Sequence, residues 1–188
     1  MPDIEMREYY LPQFREAVKA GASTIMINSS EINGVPVHAN KYLLTDVLRK
    51  ELGFEGVIVT DWEDIKRVHD RHNIAATPRE AVAICVNAGI DMSMVPTDFS
   101  FYGYLIEAVK NKEVPISRVN DAVKRILLLK YKLGLFDNPY PEKEAVANFG
   151  QPAYQQLALD AAHEAMTLLK NDNNYLNFFF VNINGLSN

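Results

Sequence analysis

The sequence is poor in the features that mark disulfide-rich, membrane-spanning and nucleic-acid-binding chains. Its single cysteine, Cys85, excludes an internal disulfide and leaves the redox compartment open. Set in Ala81-Val82-Ala83-Ile84-Cys85-Val86, that thiol reads as a small core residue. No apolar run nears the ~20 residues that a spanning helix needs, so no membrane partner is expected. Lys and Arg number 19 against 24 Asp and Glu, a formal net charge of -5, and no extended basic cluster occurs, which argues against nucleic acid. Met1-Pro2-Asp3-Ile4-Glu5 has neither a basic n-region nor an apolar h-region, so no secretion signal is read and localisation is left open. No Gly-x-Gly-x-x-Gly follows an apolar run, which weakens a nucleotide-binding reading, and no cofactor is expected.

What is present is the composition of a globular chain, 48% hydrophobic and 23% charged over 188 residues, arranged in alternating helical and strand patterns. Pro12 to Ala20 is amphipathic with Pro in its first turn and Gly21 beyond its end, and residues 22–28 form a short apolar run. Lys41 to Leu52 repeats the helical pattern, Gly53 closes it, and residues 56–60 (Gly-Val-Ile-Val-Thr) follow without polar alternation. Pro78 to Ala88, Gly89 and residues 90–95 repeat it again. Runs of this kind are buried on both faces, as in a parallel sheet. The expected order of adjacent strands is 22–28, 57–60, 90–95, with the strand ends at Asn28 and Asp61 on the same edge, because right-handed βαβ connections leave little choice.

Two further helices are predicted, one around Tyr102 to Lys110 and one from an N-cap at Ser117 to Gly134. The turn-rich Phe136-Asp137-Asn138-Pro139-Tyr140-Pro141 then marks a boundary. We divide the chain into 1–136, a linker 137–152, and 153–188, which opens with a helical pattern from Pro152 to Lys170 and ends in an atypical tail carrying Phe178-Phe179-Phe180. The fold class is α/β, and periodicity alone does not separate part of a barrel from an open doubly wound sheet. A closed eight-stranded barrel needs at least ~200 residues, so only part of one fits here.

The most informative chemistry lies at Val59-Thr60-Asp61-Trp62-Glu63-Asp64, where a strand delivers a carboxylate with an indole directly behind it. Such a carboxylate can act as nucleophile or base, and an indole can stack on a sugar face. Asp61 could instead cap a following helix, the commoner role of Asp at a strand-to-helix junction, with Glu63 and Asp64 favouring that helix's positive end. The polar loop of residues 28–40, with Ser29 and Glu31 near its start, could face a hydroxyl-rich ligand or simply turn at Asn33-Gly34. His69-Asp70-Arg71-His72 fits no standard zinc spacing and reads as a solvated face. Asp91 sits inside a strand, where a carboxylate is either structurally paired or lines a site.

Read together, residues 32–40 (Ile-Asn-Gly-Val-Pro-Val-His-Ala-Asn), 43–49 (Leu-Leu-Thr-Asp-Val-Leu-Arg), 53–62 (Gly-Phe-Glu-Gly-Val-Ile-Val-Thr-Asp-Trp), 88–92 (Ala-Gly-Ile-Asp-Met) and 132–136 (Lys-Leu-Gly-Leu-Phe) resemble glycoside hydrolase family 3, the β-glucosidase-like enzymes. The resemblance covers about residues 8–172. It implies that residues 22–95 supply the last three strands of an N-terminal (β/α)8 TIM-type barrel and that residues 162–171 open a second, α/β-sandwich domain. It further implies a retaining, exo-acting hydrolase of β-glucosides or related oligosaccharides, with Asp61 as nucleophile and Trp62 in an aromatic clamp, and Ser29 and Glu31 complete the expected substrate-binding set. None of the glutamates matches the family's acid/base, and where the family often has a Tyr, this sequence has Ser29. The isolated chain is therefore expected to be inactive. The alternatives are a non-catalytic carbohydrate-binding or scaffold protein, and an aldolase-type barrel, against which stands the lack of any strand ending in Lys. The oligomeric state is not legible.

Overall fold

The computed structural model describes residues 1–174. The helical pattern at the N-terminus begins earlier than Pro12: α1 (Asp3–Glu5) runs through a wider turn, Met6–Tyr10, into α2 (Leu11–Lys19). Gly21, with φ 87°, turns the chain into β1 (Thr24–Met26). The polar loop that follows contains a small hairpin, β2 (Glu31–Ile32) antiparallel to β3 (Val35–Pro36). Its two-residue connection places Asn33 and Gly34 at φ 54° and 77°, the left-handed pair that a type I′ turn requires and that Asn-Gly supplies at little cost.

The helix Tyr42–Glu51 is wound wider than an α-helix, and its last bond runs from Leu52 N–H to the Val47 carbonyl. It leads into β4 (Val57–Trp62), which extends two residues past the expected strand and so carries Asp61 and Trp62. α3 (Asp64–Asp70) follows at once. In α4 (Pro78–Ala88) the Thr77 hydroxyl caps Glu80 N–H at 3.1 Å, while the Glu80 carboxylate returns to Ala76 N–H at 2.7 Å. This is a reciprocal capping arrangement. β5 (Met92–Met94), α5 (Ser100–Lys110) and α6 (Ile116–Lys132) complete the first unit, Met1–Pro139. Ser117 is not the cap of α6: Pro115 occupies that position, with no side-chain cap, and Ser117 lies inside the first turn.

β1, β4 and β5 form one parallel sheet in the order β1-β4-β5. That is the order expected from the sequence. Leu44, Ile58, Val68, Val82, Cys85 and Ile90 belong to a single core of helix and strand side chains. Met26, Val59 and Met92 form a cross-strand row, and both methionines are about half exposed, at 54% and 48%.

Asp91 proves structural. Its side chain is fully buried and accepts from Ile58 N–H at 2.9 Å, from Arg118 Nη2 at 2.7 Å, and from Arg49 Nη2. Ile58 lies near the start of β4, so this ion triad sits at the opposite end of that strand from Asp61. Arg118 also donates to the carbonyls of Val86 and Ile90, at 3.0 and 2.7 Å, which ties α6 to the foot of the sheet.

The second unit begins at Tyr140. It contains a short helix not read from the sequence, α7 (Lys143–Ala147), and α8 (Pro152–Ala165), which stops five residues short of Lys170 because Met166 turns extended. Most of the tail 173–188, including Phe178-Phe179-Phe180, lies outside the described residues.

Candidate active site

Three segments meet at the C-terminal end of the sheet: the end of β4, the first residues after β1, and the turn Val37–Ala39 that follows the hairpin. A β-bulge sets the geometry. Val59 pairs with Met92 but Trp62 pairs with Met94, so three steps along β4 face two along β5. The buried Thr60 fills the gap by accepting from Met94 N–H at 2.8 Å, and Glu63 N–H donates to the Met94 carbonyl at 2.9 Å. Bulges of this kind re-aim a side chain, and here the residue re-aimed is Asp61. Immediately after it, Glu63 takes a left-handed conformation, φ 58°, that compresses the passage from strand to helix into a single residue.

Asp61 is not a helix cap. α3 starts at Asp64 with Glu63 at its N-cap, and the Asp61 carboxylate is engaged elsewhere. Its Oδ1 accepts from Trp62 N–H at 2.6 Å and its Oδ2 from the Ser29 hydroxyl at 3.1 Å. The Trp62 amide and then the Ser29 hydroxyl hold this carboxyl below the ordinary carboxylate value, with the charges of Arg67 and His38 adding to the effect. The group is half-buried and ionised at neutral pH. Beside it the Trp62 side chain stands 52% exposed.

Ser29 touches a second carboxylate as well. Its Oγ lies 2.5 Å from Asp64 Oδ2, while Asp64 Oδ1 accepts from Arg67 Nη1 at 2.7 Å. Asp64 is buried, and His38 Nε2 approaches its Oδ2 at 3.5 Å. That nitrogen is buried and has no hydrogen-bond partner among the described residues. Burial pushes the His38 imidazole below its ordinary value, against the opposing pull of Asp64 and Asp61.

Glu31 is turned to His72, whose Nδ1 lies 2.5 Å from its Oε1, so the hairpin is fastened to the chain just beyond α3. His69 Nδ1 instead faces the Ala75 carbonyl at 2.9 Å. The two histidines are thus engaged separately, and no metal-holding group of three or more His, Cys, Asp or Glu side chains occurs among the described residues. Cys85 is fully buried, and burial pushes its thiol up to about 12.

Residues 1–129 match the Glycosyl hydrolase family 3 N terminal domain. The chain belongs to glycosyl hydrolase family 3. It is 51% identical over 179 residues to a lysosomal beta glucosidase of Dictyostelium discoideum, an alignment that takes in 94% of this chain and 22% of that protein. It is 38% identical over 183 residues to a beta-xylosidase of Formosa agariphila, covering 94% of this chain and 25% of the relative. Its fold superposes on the crystal structure of a beta-glucosidase from Listeria innocua in complex with glucose with a TM-score of 0.77 at 31% identity, over 94% of this chain and 24% of the other. This family 3 chain therefore spans about a quarter or less of the length of these relatives.

Within the family 3 chain, Asp61, Trp62 and Ser29 come together, and Glu31 stands on the same loop but is bonded to His72. The sequence reading missed the buried layer beneath them, Asp64 and His38. Both stood inside motifs already singled out, but Asp64 looked like a charge favouring a helix end and His38 like a loop residue. The available signal was the three-residue step from Asp61 to Asp64 across a strand-to-helix junction, which returns a second carboxylate to the same neighbourhood.

Proposed function

We propose that residues 1–136 are the C-terminal part of the (β/α)8 barrel of a retaining, exo-acting β-glycosidase, with Asp61 as its nucleophile and terminal β-glucosyl residues, or related β-xylosyl residues, as substrate. Residues 137–152 lead out of the barrel, and 153 onward begins a second domain. The observation that carries this reading is the state of Asp61: an ionised carboxylate at the C-terminal end of a parallel strand, both oxygens held by donors, with an exposed indole beside it. In (β/α)8 barrels that end is where chemistry is built. Kinship with a β-glucosidase and a β-xylosidase supports the substrate class.

In this mechanism an Asp61 oxygen attacks the anomeric carbon, a bond from that carbon to the carboxylate forms, and the bond to the aglycone oxygen breaks with its electron pair going to that oxygen. A second carboxylic acid, held ~5–5.5 Å from the nucleophile in retaining enzymes, protonates the departing oxygen and then takes a proton from the water that hydrolyses the ester. Trp62 stacks on the sugar ring. Ser29 acts from beneath through Asp61, and Glu31, whose side chain is 45% exposed, offers a carboxylate to a sugar hydroxyl.

The test is covalent labelling. A fluorinated β-glucosyl fluoride, whose leaving group departs without an acid, should esterify Asp61 in the protein, and Asp61→Ala should abolish the labelling; in a full-length parent the same replacement should also remove nearly all hydrolysis. Label found on any other carboxylate would sink the assignment.

A further inference from the structure

The Ser29 hydroxyl lies between two carboxylates, with Asp61 Oδ2 at 3.1 Å and Asp64 Oδ2 at 2.5 Å. A serine hydroxyl carries one proton, so at any moment it can donate to only one of them. The two acceptors differ in kind. Asp61 is half-buried at the mouth of the site and, on the reading above, changes chemically during the reaction. Asp64 is buried and anchored: its other oxygen is pinned by Arg67 Nη1 at 2.7 Å, and His38 Nε2 stands 3.5 Å from the oxygen that faces Ser29. An anchored acceptor beside a reactive one gives the shared proton two defined resting places.

We propose that Ser29 is a two-position donor, its hydroxyl proton shared between Asp61 and Asp64 while Asp61 is a free carboxylate and directed to Asp64 alone while Asp61 is esterified, with Asp64 the positioning residue that makes the second orientation available. The inference rests on Asp61 being the nucleophile. When the sugar is transferred, Asp61 passes from an anion to a neutral ester, which is a weaker acceptor. Asp64 keeps its charge, and the hydroxyl rotates to it without the proton leaving oxygen. When water cleaves the ester, the bond from the anomeric carbon to Asp61 breaks and the electron pair returns to the carboxylate. The hydroxyl rotates back and stabilises the departing anion as its charge develops. Without Asp64, the hydroxyl facing the ester would have no anionic partner within reach.

The proposal is tested on the complete chain by following the Asp61 carboxyl through a pH titration with isotope-labelled aspartate NMR. The charged groups acting on Asp61 are Arg67 from α3 and His38 from the 37–39 turn; behind them, His72 beyond α3 acts on His38, and Cys85 from α4 faces Asp64. All are retained in every variant. Ser29→Ala should raise the Asp61 midpoint by removing a donor to its anion, and Ser29→Thr should restore it. Asp64→Asn should lower the midpoint, both by freeing the hydroxyl and by removing a nearby negative charge.

The double variant separates the two contributions. Through-space charge acts whether or not Ser29 is present, so under the proposal the Asp64→Asn shift shrinks markedly in the Ser29→Ala background. Equal shifts in both backgrounds overturn it. Should Asp64→Asn fail to fold, an unchanged midpoint in Ser29→Ala overturns it alone. Labelling by the fluorinated glucosyl fluoride distinguishes the two levels. Label on Asp61 with equal shifts removes only the two-position role, whereas label elsewhere removes the nucleophile assignment and this inference with it.

Discussion

His38 gives the protein a pH dependence that can be traced to a single buried side chain. Its side chain is 3% exposed, and burial places its folded pKa below the ordinary value of about 6.5. Above that ordinary value the imidazole is neutral whether the chain is folded or unfolded, so it contributes no pH dependence. As pH falls below it, the unfolded chain takes up a proton that the folded one resists, and stability is lost until the folded pKa is reached. The measurement is urea unfolding at several points between pH 7 and pH 5 for the parent and for His38→Gln. The parent should lose stability faster as pH falls, and parallel profiles would show that this histidine does not titrate as argued.

At the scale of elements, the sheet has two ends with different tasks. At the foot, Asp91 joins β4, the helix Tyr42–Glu51 and α6 through Ile58 N–H, Arg49 and Arg118. Asp91→Ala would leave two arginines facing a buried void, and removing one partner of such a network costs about 3–5 kcal/mol. Denaturant titration should register a loss of that order, with the midpoint moving and the slope unchanged. A change under about 1 kcal/mol would mean that water reaches the triad and screens it. The positions of β1, β4 and β5 were legible because each is a short apolar run bracketed by glycine or polar residues. The bulge at Thr60 was not, since an extra residue in one strand leaves no trace in composition. The end of α8 was equally hidden: residues 166–170 hold neither Gly nor Pro, and the helical pattern runs straight through the point where Met166 turns extended. Asp91 was ambiguous for a related reason, since its two arginine partners come from 42 residues before it and 27 after, and local pattern does not see pairings at that range.

At the scale of the whole molecule, the Met26–Val59–Met92 row and the outer edges of β1 and β5 matter most. No strand among the described residues pairs with either edge. Open edges and half-exposed apolar rows favour association. Purified alone, the chain is expected to elute above its monomer mass on size exclusion with light scattering. It is also expected to show no sustained turnover of aryl β-glucosides or β-xylosides. Without a matched acid/base the reaction forgoes a factor of ~10²–10⁴. Sustained turnover that disappears in Asp61→Ala would overturn this expectation and point to a site completed by assembly. The Asp61-Trp62 dipeptide was visible in the sequence because it is contiguous. The Asp64–His38 layer beneath it was not, because its members meet only after β1, the hairpin and α3 have folded together.

The Asp91 triad also bears on how the chain comes to be folded during synthesis. Arg118 is made 27 residues after Asp91. At about 5–20 residues per second, that is an interval of roughly one to five seconds. Until α6 emerges, Asp91 has only Arg49 and the Ile58 amide for partners, and its carboxylate resists leaving water. The foot of the sheet is therefore fully paired only once α6 has been made, whereas every residue of the mouth has been synthesised before it.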